Sequence, residues 1–408
     1  MPSRLYVFAP QADGTHVLAG RMDWADGAGE FRYAPDWLAA QDSYALDPRN
    51  LPLQEGPLLA TVNGGVHGVF ADAGPDAWGS KLLELQRGHV PTSPLDVLRV
   101  TNGCGTGALL FSQSRERPAP TRQLLPMTTL PEIEAAARSV ASGETVADPV
   151  FHLLLEGGSS LGGARPKANV QWNDAAWIAK FSKPDDALDL PRLEWACLRL
   201  ARDAGITVPD HQLQEVNGRA VLLVRRFDRE GARALHYLSL HALLSMGRMS
   251  AADFVAPQGL CTYGGLSSLC RHIGVEGAGR TLLQRLVFNL AIGNTDDHLR
   301  NHGLLFDNGS WRFAPAFDLV ACGGPVHAIG LGEAGRQATL ENALSDLPRF
   351  GVSMPDAQEM VAHVAQSMAD APARLREAGL SDAHVEMAMR RMKPFPKADD
   401  LECSVPAP

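Results

Sequence analysis

Long apolar runs are missing from this 408-residue chain. No stretch reaches the eighteen or so apolar residues that span a bilayer, so no membrane helix is expected. The first residues, Met1-Pro2-Ser3-Arg4-Leu5-Tyr6-Val7-Phe8, run straight into a strand-like pattern without the apolar core of a signal peptide. An excess of positive charge is missing too: 37 Lys and Arg against 46 Asp and Glu leave a net charge of −9. That balance argues against a chain that coats nucleic acid by itself. Cysteine is sparse. The six, Cys104, Cys197, Cys261, Cys270, Cys322 and Cys403, form no C-x-x-C pair. Unpaired thiols in a reducing cytoplasm are the expectation. The G-x-x-x-x-G-K-[ST] order is absent, which excludes a Walker A loop. What remains is an ordinary globular balance, 45% hydrophobic and 20% charged, over a length that suits two or three domains or one two-lobed unit.

The most informative stretch is 293–301, G-N-T-D-D-H-L-R-N, which follows the apolar run 282–292. Asp296 and Asn301 have the D-x-x-x-x-N spacing of a phosphotransferase catalytic loop. A second loop, Pro315-Ala316-Phe317-Asp318-Leu319, brings another isolated aspartate. An acid for a substrate hydroxyl, an amide oxygen for a metal and a later aspartate for the same metal make a recognisable set. Phosphoryl transfer asks for charge neutralisation and in-line positioning more than for a strong base.

Upstream, residues 157–167 form a glycine-rich loop ahead of a strand at 168–172. Glycines let backbone N–H groups approach phosphate oxygens, although a plain hairpin would explain them as well. Trp177-Ile178-Ala179-Lys180 resembles the V-A-I-K strand whose lysine holds nucleotide phosphates; the bland alternative is a solvated edge charge. Glu194, near the start of an amphipathic helix at 190–204, suits either the helix macrodipole or a pair with Lys180. Strands at 211–216 and 219–224 flank Asn217-Gly218, a strong hairpin signal, and lead into Arg225-Arg226-Phe227-Asp228-Arg229. That segment is an adenine hinge or simply a charged strand end.

The rest of the pattern is coarser. Strands are expected at 5–8, 16–18, 30–33 and 107–111, with Trp78 as a packing anchor. Loops are expected at 51–53 and 66–79, and a helix at 80–87 capped by Ser80. Residues 112–126 read as a linker, followed by helices at 130–141 and 147–156. Further helices are expected at 238–246, 281–292 and across 356–392. The interval 251–264 reads as loop-rich, and a hairpin is expected around Asp307-Asn308-Gly309. The expected division is 1–115, a small mostly β subdomain; 116–149, linker and helix; 150–395, a catalytic core with parts 150–230 and 231–395; and a tail, 396–408.

Four motifs in order resemble the HipA family of serine/threonine kinases, the toxins of HipBA-type toxin–antitoxin modules. They are S-S-L-G-G-A-R-P-K-A at 159–168, R-F-D-R at 226–229, G-N-T-D-D-H-L-R-N at 293–301 and A-P-A-F-D-L at 314–319. The first part resembles the family's N-terminal subdomain through Val17-Leu18-Ala19-Gly20, Phe31-Arg32-Tyr33 and Leu51-Pro52-Leu53. The resemblance implies an α+β, two-lobed protein-kinase-like fold with a mostly β N-terminal subdomain and an α-helical C-terminal lobe. It implies ATP and Mg²⁺ as cofactors, with Asp296 orienting the substrate hydroxyl and Asn301 and Asp318 holding the metal. Gly162, Gly163, Ala164, Arg165, Pro166 and Lys167 would cover the phosphates and Lys180 would contact them. Arg225, Arg226, Phe227 and Asp228 would form the nucleotide hinge, with His298 near the nucleotide and Ser160 as the autophosphorylated loop serine. Implied partners are a HipB-like helix-turn-helix antitoxin, DNA only through it, and a protein substrate such as an aminoacyl-tRNA synthetase. Departures are small: Phe317 stands where tyrosine is frequent, and Asp297 where glycine also occurs. Two other readings compete. One is a degenerate kinase acting as a co-repressor with the antitoxin. The other is a metal-dependent phosphohydrolase built on Asp296, Asp297, His298 and His302.

Overall fold

A computed structural model describes residues 3–393, apart from 61, 76, 89–92, 102–104, 119–123, 145, 159–162 and 248. The chain divides into two compact units. The first holds the residues up to Asp185 together with Gln214–Gly247 and Gly303–Ala314; the second holds Asp186–Leu213, Arg248–His302 and the residues from Pro315 onward.

The first unit opens with a five-stranded sheet in the order Leu58–Ala60, Ala28–Tyr33, His16–Ala25, Ser3–Pro10, Leu110–Ser112. The strand expected at 16–18 runs on to Ala25, because Gly20, Met22 and Trp24 continue the pairing. A register shift between Val7 and Phe8 interrupts the alternation of Ser3–Pro10, so consecutive residues there are buried. The strand expected at 107–111 begins only at Leu110. Two further expectations are corrected. Within 66–79, Gly68–Asp72 is a helix: its buried Val69 and Phe70 outweigh the Gly and Pro composition that suggested a loop. The next helix starts at Ala77, so Ser80 lies inside it and does not cap it. Its start is pinned by Trp78, whose indole N–H donates to the Lys167 carbonyl at 3.1 Å.

A second sheet has the order Leu125–Pro126, Lys167–Trp172, Ala175–Lys180, Arg219–Arg225, His211–Val216. The linker expected at 112–126 therefore ends in a strand, parallel to Lys167–Trp172. Pro126 is tolerated because this is an outer strand. The helices Leu130–Ala141 and Asp148–Gly158 share a core with this sheet, through Ile133, Ala137 and Leu154 against Val170, Ala179 and Leu223, with Trp78 beside them. Asn217 and Gly218 turn the expected hairpin at φ +51° and +72°. A third sheet joins His236–Ser239, Gly303–Asp307 and Ser310–Phe313. The helix expected at 238–246 is only Leu240–Leu244, capped by Ser239 Oγ, which accepts from the Ala242 N–H at 3.0 Å. His236–Ser239 is a strand because its partner lies far downstream, at Gly303–Asp307.

The second unit is mostly helical. Its central helix, Ala278–Ile292, is buried almost all round, as a helix inside a larger core must be. It packs against Tyr263–His272 and Met354–Ala369. The helix Tyr263–His272 lies partly in the interval expected to be loop-rich. Gly264 and Gly265 lower its propensity, and Thr262 compensates as a cap by accepting from the Gly265 N–H at 3.0 Å. Among the described residues, Cys197, Cys261 and Cys270 are buried free thiols and Cys322 is an exposed one. No helix among the described residues is long and apolar enough to cross a membrane.

Candidate functional site

The central helix ends at Gly293, at φ +67°. A side chain there would collide with the Arg391 carbonyl oxygen, so the turn requires glycine twice over. The chain then presents Asp296 and His298 as exposed residues and buries Asn294, Asp297, Asn301 and His302. The two adjacent carboxylates thus part company. Asn301 sits at the end of a short turn, its N–H donating to the His298 carbonyl at 2.8 Å. Its Nδ2 lies 3.5 Å from the Asp296 carbonyl, at the outer limit of a hydrogen bond.

Asp297 Oδ2 accepts from Asn289 Nδ2 at 2.6 Å, from His302 Nε2 at 2.9 Å and from the Tyr263 hydroxyl. Burial alone would raise this carboxyl, but His302 and the hydrogen bonds overrule it and hold it down at about 2. The Tyr263 phenol is pushed well up, by burial first and by Asp297 second. Asp297 is therefore an internal acid that organises the loop. The four residues of the phosphohydrolase reading divide into an exposed pair, Asp296 and His298, and a buried pair bonded to each other, Asp297 and His302. Among the described residues, no three His, Cys, Asp or Glu side chains converge as a metal cage.

Asp318 is half-buried at φ +58°, a left-handed conformation that is uncommon outside glycine. Its loop is stitched to 293–301. Gly323 N–H donates to the Gly293 carbonyl at 2.8 Å, Thr295 Oγ1 to the Gly323 carbonyl at 2.9 Å, and Ala328 N–H to the Thr295 carbonyl at 2.9 Å. Asn294 Nδ2 reaches the Asp318 carbonyl at 3.4 Å. The second unit thus brings the Asp296, Asn301 and Asp318 segments together through named bonds. Glu194 is buried in the helix Leu190–Asp203 of this unit; the cap of that helix is Asp189, not Glu194.

The first unit holds the glycine-rich loop, Lys180 and the hinge candidates. Ser160 and Gly162 lie outside the described residues. Gly163 is at φ +87°, and a side chain on it would run into Lys167 Nζ, so this ammonium lies directly against the loop. Ala164 is exposed, Arg165 half-buried and Pro166 buried. Lys167 and Lys180 are direct cross-strand partners, and Phe181 N–H closes the ladder on the Pro166 carbonyl at 3.0 Å.

The hinge candidates split by role. Arg225 is exposed and Phe227 half-buried, its ring 6.2 Å from that of Tyr237. Arg226 and Asp228 are buried and form a two-bond pair, Nε to Oδ1 at 2.9 Å and Nη2 to Oδ2 at 2.7 Å. Arg226 also donates to Asn169 Oδ1 at 3.0 Å and to the Gly105 carbonyl at 2.6 Å. Asp228 accepts further from the Gly107 N–H at 2.7 Å and from Arg229 Nη1 at 2.9 Å. Burial would raise the Asp228 carboxyl, but Arg226 and Arg229 hold it well below the usual carboxylate range. These side chains are committed within the unit. Sequence reasoning passed over Tyr263, Asn289 and Asn294; Asn294 lay inside the quoted motif, whereas nothing local marks Tyr263.

The profile of the HipA-like C-terminal domain matches residues 159–372, and that of the HipA N-terminal domain matches residues 14–112. A Sinorhizobium fredii protein named "Putative kinase Y4mE" is 26% identical over 205 residues, covering 47% of this chain and 48% of that protein. A second from the same organism, "Putative kinase Y4dM", is 28% identical over 163 residues, covering 36% and 37%. The chain therefore spans about half the length, or less, of these curated relatives. Among solved structures, a chain of the Shewanella oneidensis toxin–antitoxin complex of HipA, HipB and its operator DNA superposes with a TM-score of 0.70 at 16% identity. That match covers 98% of this chain and 100% of the other, which establishes a common fold. With one domain profile spanning more than half of its length and another matching its N-terminal part, the chain belongs to the HipA family.

Proposed function

We propose that this chain is an ATP- and Mg²⁺-dependent serine/threonine protein kinase and the toxin of a HipBA-type module. The observation that carries the reading is the stitching of the Asp318 loop to 293–301, with Asp296 exposed and Asn301 beside it. In this reading Asp296 orients and accepts the proton of a substrate hydroxyl. Asn301 and Asp318 would hold Mg²⁺, since an amide oxygen and a carboxylate are the hard oxygen donors this ion prefers. Bound there, the ion would supply charge neutralisation for phosphoryl transfer. On the first unit, Lys167 and Lys180, neighbours across two strands, bind the phosphates. The backbone of 163–167 covers the phosphates, Arg225 to Asp228 take the base through main-chain groups, and His298 lies near the nucleotide. Ser160 is the site of autophosphorylation.

The names of the two Sinorhizobium fredii relatives support phosphotransfer, and the Shewanella complex supports a HipB-like antitoxin as partner. A net charge of −9 fits a chain that meets DNA only through such a partner. The substrate is proposed to be a translation-related protein, such as an aminoacyl-tRNA synthetase. The test is labelled ATP with the purified chain and cell lysate, followed by mapping of phosphosites. Asp296→Gln should lower transfer by about 10²–10⁴-fold with an unchanged melting temperature, since Asp296 is exposed. Unchanged transfer in that variant would sink the assignment. Wild-type protein that binds ATP without transferring phosphate would turn the reading toward a binding protein.

A further inference from the structure

We propose that Asp297 is a positioning residue: it fixes the direction of a buried amide relay, Asp297 to Asn289 to Asn294, whose last donor holds the carbonyl of Asp318. The proposal deepens the phosphotransfer reading and rests on it for the roles of Asp296 and Asp318.

The direction follows from donor and acceptor chemistry. Asp297 Oδ2 already takes the Tyr263 hydroxyl and His302 Nε2, so it presents an acceptor to Asn289. Asn289 must answer with Nδ2, at 2.6 Å. Its Oδ1 is then turned toward Asn294, which must donate in turn, at 3.0 Å. With Nδ2 on that side, the second Asn294 proton points at the Asp318 carbonyl, 3.4 Å away, and Oδ1 is left to the Cys322 thiol at 3.8 Å. Each amide orientation is thus decided by the one before it, starting from the acid.

The relay has a rigid base and a demanding end. Asn289 is in the last turn of the central helix, and Asn289, Asn294 and Asp297 are each at most 2% exposed. Asp318 stands at φ +58°, a conformation that persists where its surroundings over-determine it. The same acid that shapes the Asp296 loop therefore helps to hold the backbone of the proposed metal aspartate. Groups that set the geometry of a ligand in this indirect way typically change activity by about 10–100-fold when removed.

Asn294→Asp is the decisive variant. It keeps the shape of the side chain but places an acceptor against two acceptors, Asn289 Oδ1 and the Asp318 carbonyl. The expected result is a kcat about 10–100-fold lower with the KM for ATP within about twofold, because the phosphate-binding lysines are untouched. Asp297→Ala should show the same split, and Asp297→Asn, whose amide oxygen can still accept, should recover most of what the alanine loses. Hydrogen exchange of the amides at 318–323 gives a readout that needs no activity. It should quicken in Asn294→Asp and Asp297→Ala and return toward wild type in Asp297→Asn. A wild-type kcat in folded Asn294→Asp overturns the proposal, as does an asparagine at 297 that behaves like the alanine. If Asp297→Ala fails to fold, Asn294→Asp decides, since it leaves the acid in place. If the wild type transfers no phosphate, the kinase reading fails, and unaltered exchange in Asn294→Asp then overturns the relay separately.

Discussion

Side by side in the sequence, Asp296 and Asp297 look interchangeable. Motif spacing singles out Asp296, Asn301 and Asp318, because phosphotransfer chemistry demands those types at those intervals. It does not reveal that Asp297 turns inward, because Tyr263 lies 34 residues away and only the fold brings it to the acid. The Arg226–Asp228 pair is similar: the motif drew attention to it as a hinge, while its bonds to Gly105, Gly107 and Asn169 depend on segments far upstream. Removing one partner of a buried pair strands the other charge. Arg226→Ala is therefore expected to cost about 3–5 kcal/mol in denaturant unfolding, against under about 0.5 kcal/mol for the exposed Arg225→Ala. Acid should weaken the same unit. Burial pushes His67 and His236 down to about 4, so between that value and the ordinary 6.5 the unfolded chain binds more protons than the folded one. Stability is then fully present above about pH 6.5 and is lost as pH falls toward 4, with a slope of up to about 1.4 kcal/mol per pH unit for each histidine. Denaturant midpoints across this window check it; a His236→Gln variant with an unchanged acid limb would remove that residue from the account.

Elements whose signals are local were legible. The Asn217-Gly218 and Asn308-Gly309 hairpins came from turn chemistry, and Ala278–Ile292 came from its apolar run. Elements that exist because of a distant partner were not. His236–Ser239 is a strand only beside Gly303–Asp307, and Leu125–Pro126 only beside Lys167–Trp172. Within the legible turns, two glycines at similar φ have different surroundings. Gly218, at +72°, has open space where a Cβ would go; Gly293, at +67°, has the Arg391 carbonyl there. Gly218→Ala should cost about 1 kcal/mol, the left-handed penalty alone. Gly293→Ala adds a backbone collision and should cost at least about 3 kcal/mol. Equal losses in urea titrations would mean that the loop after Gly293 shifts easily, against the stitching described above.

At the scale of the molecule, neither unit is one continuous stretch: the chain passes from one to the other five times. The expected subdomain 1–115 lies in the first unit together with strands from the middle and later parts of the chain. No composition shift could have announced this, since Gly303–Asp307 and Ser310–Phe313 carry no mark of the unit they complete. A chain ended after residue 302 would lack both strands and leave His236–Ser239 with an open edge. Such a fragment is expected to be insoluble or to bind hydrophobic dyes strongly, and a cooperative melt with a full-strength β signal would contradict the pairing. The same arrangement has a consequence on the ribosome. At about 5–20 residues per second, the interval between synthesis of Ser239 and of Gly303 lasts roughly 3–13 s. For that time each nascent copy displays an unfinished sheet, which makes the first unit the earliest point at which crowded polysomes or a shortage of holdase chaperones would limit the yield of this protein.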